Sequence, residues 1–215
     1  MIFVAVSMGF IAENIREQLT EKQLSRDYLE SYHQELVLNK AEIKNYDSSY
    51  SALIPKADSL VYQFYNKREN LDLVTMARLT NQSKFIIIPI LQNSAYKQII
   101  NSGGLRYIKN NALKDSMTVY EGLILKNQNY VVQLNAIRAP IFAQVAALED
   151  FHNLFGPGKL PAMQPYPELT ERERRTLISW YKLSVAQWNS SKINLKRIKE
   201  LNEVLLQITK NEMTR

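Results

Sequence analysis

Residues 170–211, TERERRTLISWYKLSVAQWNSSKINLKRIKELNEVLLQITKN, read as a single uninterrupted helix. Thr170 and Glu173 form a capping-box pattern, in which each side chain satisfies a backbone donor left orphaned at a helix start. No Gly or Pro interrupts the stretch after them. Leu177, Trp180, Tyr181, Val185, Trp188, Leu195, Ile198, Leu201, Leu205 and Ile208 recur at three- and four-residue steps. That spacing predicts one amphipathic helix of about forty residues, roughly 60 Å long. A helix of this length needs equally long neighbours to bury its stripe, which sets the fold class.

On the N-terminal side the same pattern returns. Pro161, Pro165 and Pro167 mark a Pro-rich loop, and Gly156-Pro157-Gly158 stops the helix before it. That helix is expected from Ala112 to Phe155, capped by Asn110-Asn111 and kinked or divided at Pro140. Its buried face is read as Leu113, Met117, Tyr120, Leu123 and Ile124, continued by Val131, Leu134, Ile137, Phe142, Val145, Leu148 and Phe155. The N-terminal helix is expected to run from Ile2 to about Tyr46, with Leu29, Tyr32, Leu36 and Ile43 as its stripe. Asp47-Ser48-Ser49 reads as a break, and a second helix is expected from near Pro55 to about Leu79. Phe85-Ile86-Ile87-Ile88 is β-branched, but Pro89 and the lack of a partner strand argue for a buried loop or a helical turn. A short helix at Asn93–Asn101 is then stopped by Gly103-Gly104. The expectation is an all-α fold, an elongated antiparallel helical bundle whose long N-terminal helix begins in an apolar anchor.

Composition narrows the function classes. With 215 residues and 46% hydrophobic content, the chain is too apolar to be disordered. It has 6 Gly and 7 Pro, few for its length, which suits long helices. Without any Cys, disulfides, iron–sulfur clusters, thiolate zinc sites and cysteine nucleophiles are excluded. Net charge is +6, and Glu171–Arg215, with ten Lys or Arg against five Asp or Glu, carries +5 of it. Because acids are interspersed, this reads first as a solvated helix face.

Ile2–Ala12, IFVAVSMGFIA, holds no charged residue. As a helix these eleven residues reach about 16 Å, roughly half a hydrocarbon core. No basic residue precedes them and no small-x-small cleavage site comes after them, so a cleaved signal peptide is not expected. Ile2, Phe3, Val4, Val6, Phe10 and Ile11 are the anchor residues of this reading. They form either the far half of a membrane helix that starts upstream of Met1, or a half-span docking into a larger membrane complex. The bland alternative is a buried helix start.

Asn93–Leu125, NSAYKQIINSGGLRYIKNNALKDSMTVYEGLIL, carries a recognisable pattern in Tyr96, Ile99 or Ile100, Ser102, Gly103, Leu105, Ile108, Asn110 and Leu113. Together with Glu13, Asn14, Arg16 and Glu17 after the apolar run, it resembles an uncharacterised family of small, N-terminally anchored helical proteins of Gram-negative bacteria. The resemblance covers about half the chain. It implies a helical domain anchored at the inner membrane and lying in the periplasm, and it implies no activity. In that family a full-length membrane helix comes after basic residues, which this chain lacks. The Ser-Gly-x-Leu stretch itself reads as a tight corner between two helices.

Few residue patterns point to sharper chemistry. Glu30-x-x-His33 and Glu149-x-x-His152 involve both histidines of the chain, and such steps on facing helices form half of a di-iron site in ferritin-like bundles. The first step, however, falls on the first helix, where that order supplies a lone Glu, and no inward Glu is evident elsewhere. Arg172, Arg174, Arg175, Lys192, Lys196, Arg197 and Lys199 lie near Trp180, Tyr181 and Trp188, but the aromatic residues belong to the apolar stripe. No nucleic acid is therefore expected as a partner. No G-x-S-x-G or phosphate loop is present. Tyr28, Tyr32, Tyr62, Tyr65, Tyr120 and Tyr130 are read as core or rim packing. The expected protein is non-enzymatic and without cofactor: an anchor at 1–12 and one bundle domain at 13–215. Its partners are membrane lipid and a membrane-protein complex or a second copy, through which it acts as an accessory subunit, scaffold or sensor-like module. The alternative is a metal-binding bundle enzyme.

Overall fold

The computed structural model describes residues 2–66, 79, 82–83, 90–149 and 170–214, with side-chain surroundings from residue 7 onward and, before residue 150, up to Val145. The Phe85–Ile88 run, the Gly156–Gly158 stop and the Pro-rich loop lie outside the described residues. All described secondary structure is helical: α1 (Ile2–Tyr65), α2 (Ser94–Asn101), a 3₁₀ turn at Gly104–Arg106, α3 (Asn111–Glu149) and α4 (Glu171–Met213). The expected all-α class and long N-terminal helix are therefore correct.

The break expected at Asp47-Ser48-Ser49 does not occur, and α1 runs on through Pro55. Two local devices carry the polar stretch: the Ser49 hydroxyl donates to Asn45 O at 2.9 Å and the Ser51 hydroxyl to Asp47 O at 2.8 Å. Lys192 of α4 then donates to Ser51 Oγ at 2.8 Å and lies 3.9 Å from the Asp47 carboxylate. Serine's weak helix propensity loses to tertiary packing, because buried Ile43 and Tyr50 flank the stretch. Pro140 likewise sits inside a continuous α3. At the other expected ends the caps form as their sequences imply. Asn110 Oδ1 accepts from Leu113 N at 3.1 Å. Thr170 N donates to the Glu173 carboxylate at 2.8 Å, and Glu173 N donates back to Thr170 Oγ1 at 3.3 Å.

The chain forms two compact units: Met1–Ile43, Ile90–Leu125 and Arg197–Arg215 in the first, Lys44–Pro89 and Lys126–Lys196 in the second. In the first unit, hydrogen bonds fix the topology. Asn39 meets Gln92, Glu35 meets Ala95 and Tyr28 meets Ser102, so α2 runs antiparallel to α1. Asn93 meets Glu121 and Tyr96 meets Thr118, which makes α3 antiparallel to α2. Asn110 meets Glu212 and Tyr120 meets Asn202, so α4 is antiparallel to α3. The result is an up-down-up-down antiparallel bundle. In the second unit α4 again opposes α1, since Arg174 donates to Phe64 O and Lys192 to Ser51. Phe64 stacks on Tyr181 at 6.1 Å.

Packing repeats every seven residues. Leu29, Leu36, Ile43, Tyr50, Ala57 and Phe64 of α1 are all 4% exposed or less. The same step links Met117, Ile124, Val131, Arg138 and Val145 in α3, and Leu177, Ser184, Ser191, Ile198 and Leu205 in α4, all buried. A sustained seven-residue repeat keeps one seam facing its neighbours, as in left-handed coiled packing. It also corrects the stripes read from apolar residues alone. Ile137 is 63% exposed whereas Arg138 is buried, and Ser184, Asn202 and Thr209 take core positions beside Val185, Leu201 and Ile208, which are only partly covered.

The corner between α2 and α3 turns on two glycines. Gly103 adopts φ +68°, and a Cβ on Gly104 would meet the Tyr28 ring at 2.7 Å. Replacing Gly103 by Ala is expected to cost about 1 kcal/mol, and by Asn less, because Asn tolerates the left-handed region. Gly104→Ala should displace Tyr28 and break its 2.9 Å bond to Ser102. Urea unfolding of the variants checks the order, and a Gly103→Ala protein as stable as the parent would contradict it.

Candidate functional site

The anchor residues lie on α1, which is helical from Ile2. The side chains of Ile2, Phe3, Val4 and Val6 fall outside the described set. Phe10 is 74% and Ile11 59% exposed, and they belong to a longer bare stretch, since residues 7–20 are exposed throughout. Met8, Ile11, Ile15 and Leu19 present an apolar face there, each more than half exposed. Met8 and Ile15 stand three and two heptads before Leu29, so this face continues the seam that is buried further along. Among the described residues no helix is long and apolar enough to cross a membrane.

Of the metal-site candidates, Glu30 is exposed, and His33 Nδ1 is hydrogen-bonded to Thr209 Oγ1 at 2.7 Å. Glu149 is the last residue of α3, with its side chain outside the described set, and His152 lies outside the described residues altogether. Among the described residues no group of three or more His, Cys, Asp or Glu is placed to hold a metal ion. Trp180, Tyr181 and Trp188 are at most 1% exposed, as expected of the stripe, and offer no stacking platform. Tyr32 and Tyr120 are core residues, whereas Tyr62 and Tyr65 are 59% and 57% exposed.

Apolar patterning missed the buried polar groups. In the first unit the Glu35 carboxylate, 4% exposed, accepts from Ala95 N at 2.7 Å and Ser94 Oγ at 3.3 Å. It thereby caps α2, whose own Asn93 makes no side-chain cap. Burial raises the Glu35 pKa despite these bonds, and the Glu121 charge adds to the rise. Asn39 pairs with the Gln92 backbone in both directions, at 2.9 and 2.7 Å. Asn202 donates to Leu36 O at 3.1 Å and to the Tyr120 hydroxyl at 2.9 Å, tying α4 to α1 and α3. Burial pushes the Tyr120 hydroxyl up to about 12 and raises Tyr32 as well, so both stay neutral.

In the second unit Arg138 is fully buried. Its guanidinium donates to Gln187 Oε1, to Ser83 O and, at 3.0 Å, to Ser184 Oγ, while lying 4.4 Å over the Trp180 ring. Trp180 Nε1 donates to Ser83 Oγ at 2.8 Å, closing the cluster. Desolvation lowers the Arg138 pKa to about 10, which leaves it charged at neutral pH. Only a planar fork can serve these acceptors and stack on the ring together. Both clusters engage buried polar groups at helix contacts, although Arg138 Nε, Asn202 Oδ1 and the Tyr32 hydroxyl are buried without a hydrogen-bond partner, and among the described residues neither converges on an open cleft.

The motif residues of Asn93–Leu125 have packing or capping roles. Ile99, Ile108 and Leu113 are buried, Ser102 accepts from Tyr28, and Tyr96 lies 6.5 Å from Tyr32.

Comparison of the chain with models of known protein families, with curated proteins and with solved structures gives no match.

Each polar cluster can be probed through stability. Glu35 holds its proton to a higher pH folded than unfolded, so the parent should lose stability as pH rises from the unfolded carboxylate value through the raised one. Glu35→Gln should remove that slope, seen as a stability advantage that grows as pH rises from the unfolded carboxylate value of about 4 toward neutral in urea titrations. A constant difference across that range would refute it. Arg138→Ala should cost about 3 kcal/mol or more, and Arg138→Lys should recover little of it. Thermal unfolding of both variants tests this.

Proposed function

We propose that this protein is a membrane-anchored, non-enzymatic helical bundle that acts through protein contacts, as an accessory subunit, scaffold or sensor-like module. The observation that carries the reading is the start of α1. Its apolar residues stay exposed while remaining in register with a seam that is buried from Leu29 onward. A lone helical arm of this kind gains nothing from water and is marginal by itself, so a lipid or protein surface is its natural cover. The charge-free run Ile2–Ala12 favours lipid at the tip. Glu13, Arg16 and Glu17 after it favour an interfacial position for the next turns, where Arg16 pairs with Glu13 at 2.6 Å. The bacterial inner membrane and a periplasmic bundle are proposed on the resemblance of Asn93–Leu125 and residues 13–17 to the anchored family. Proteins of the same membrane, or a second copy, are the proposed partners. The buried polar clusters support a structural role for the bundle, because their groups are engaged with one another.

Fractionation of the native host, with the chromosomal copy tagged at its C-terminus, tests the reading. The protein is expected in the membrane fraction, resistant to high salt and released by mild detergent with a stoichiometric partner. Phe10→Glu with Ile11→Glu should move it to the soluble fraction. Recovery of the unaltered protein as a soluble monomer would overturn the anchor.

A further inference from the structure

The seven-residue seam of α1 has one gap. Along its second set of core positions, Tyr32, Asn39 and Leu60 are buried to 1% or less, but Tyr46 and Leu53, two successive layers, are only partly covered. Tyr50 between them is 2% exposed, so the helix has not turned away from its neighbours there. A cavity of about 270 Å³ occupies the gap, within the second unit. Tyr46, Tyr50 and Leu53 form one wall and Trp188 of α4 the other, with Asn45, Ser49 and Gln82 as the polar contributors. The two tyrosine rings stand 6.4 Å apart at 57° to each other, which gives the wall a corner. Among the described residues no charged side chain lines the cavity.

We infer that this cavity is a binding site for a small, uncharged, planar aromatic molecule bearing an amide-like polar edge. The volume, just under the range of drug-sized pockets, suits one or two fused rings. Aromatic faces from two helices offer stacking and edge-to-face contacts to a flat ring. Asn45 and Gln82 side-chain amides can both donate and accept, which matches a ligand edge doing the same. Burial pushes the Tyr50 hydroxyl up to about 12, so the wall itself stays neutral. The described lining offers no carboxylate of the kind that favours a cation in an aromatic box, which selects a neutral ligand over an ammonium. The site does not involve the exposed arm, and its occupancy does not depend on membrane attachment.

The test uses the two indole N–H resonances of the full-length, ¹⁵N-labelled protein, assigned by Trp188→Phe. Benzamide is titrated, with cyclohexanecarboxamide and tetramethylammonium as non-planar and cationic comparisons. The expected result is a saturable shift of the Trp188 signal with a dissociation constant on the order of 1 mM, as for a fragment of this size. Ser49 is exposed at the mouth, so Ser49→Phe should abolish the shift in a protein that remains folded by far-UV circular dichroism. Leu53→Phe, which fills the cavity from the apolar side, should do the same and serves if the first variant does not fold. No shift with benzamide, an equal shift with either comparison compound, or a shift that persists in the filled variants would overturn the site.

Discussion

Everything in this fold hangs on one requirement: a core position recurs every seven residues and must be filled, whatever residue stands there. α1 obeys it from Leu29 to Phe64 without a slip, straight through the Asp47–Ser49 stretch that local propensity would break. The repeat matters because it keeps one face of a long helix toward its neighbours. Local preferences of serine or proline are worth about 1–3 kcal/mol each, and burial of the flanking Ile43, Tyr50 and Ala57 outweighs them.

The same requirement places polar residues inside. Arg138, Ser184, Asn202 and Thr209 occupy core layers, and each of them finds a hydrogen-bond partner there. Unpaired, such groups would each cost on the order of 1–3 kcal/mol, so Arg138 and Asn202, whose partners lie on other segments, work as register pins. Asn202 reaches Leu36 O and Tyr120 only if α4 is in its observed position. A slide by one turn would leave the buried Asn202 amide without either partner. An apolar seam would tolerate that slide; this one does not.

Function is read from what the seam leaves over. Where it meets its helices it is closed, and polar groups such as Arg138 and Asn202 find partners within it. Two open places carry the argument: the first turns of α1, where the apolar face is exposed, and the gap at Tyr46 and Leu53. Attachment and recognition are the roles we propose for those features.

Helicity was legible from the chain alone, because scarce Gly and Pro and three- and four-residue apolar steps leave few alternatives. So were the caps at Asn110 and Thr170 and the corner at Gly103, since these depend on neighbours in the chain. The exposure of Phe10 and Ile11, by contrast, depends on which helices reach them, and their sequence says only that they are apolar. Long-range packing settled the continuity of α1 through residues 47–55, because stabilising contacts come from Lys192, far along the chain. It also settled which of Ile137 and Arg138 faces inward: hydrophobicity points to the first, while the acceptors on Ser83, Ser184 and Gln187 make room for the second. Residues distant in sequence supply those partners, and a reading of one helix at a time has no access to them.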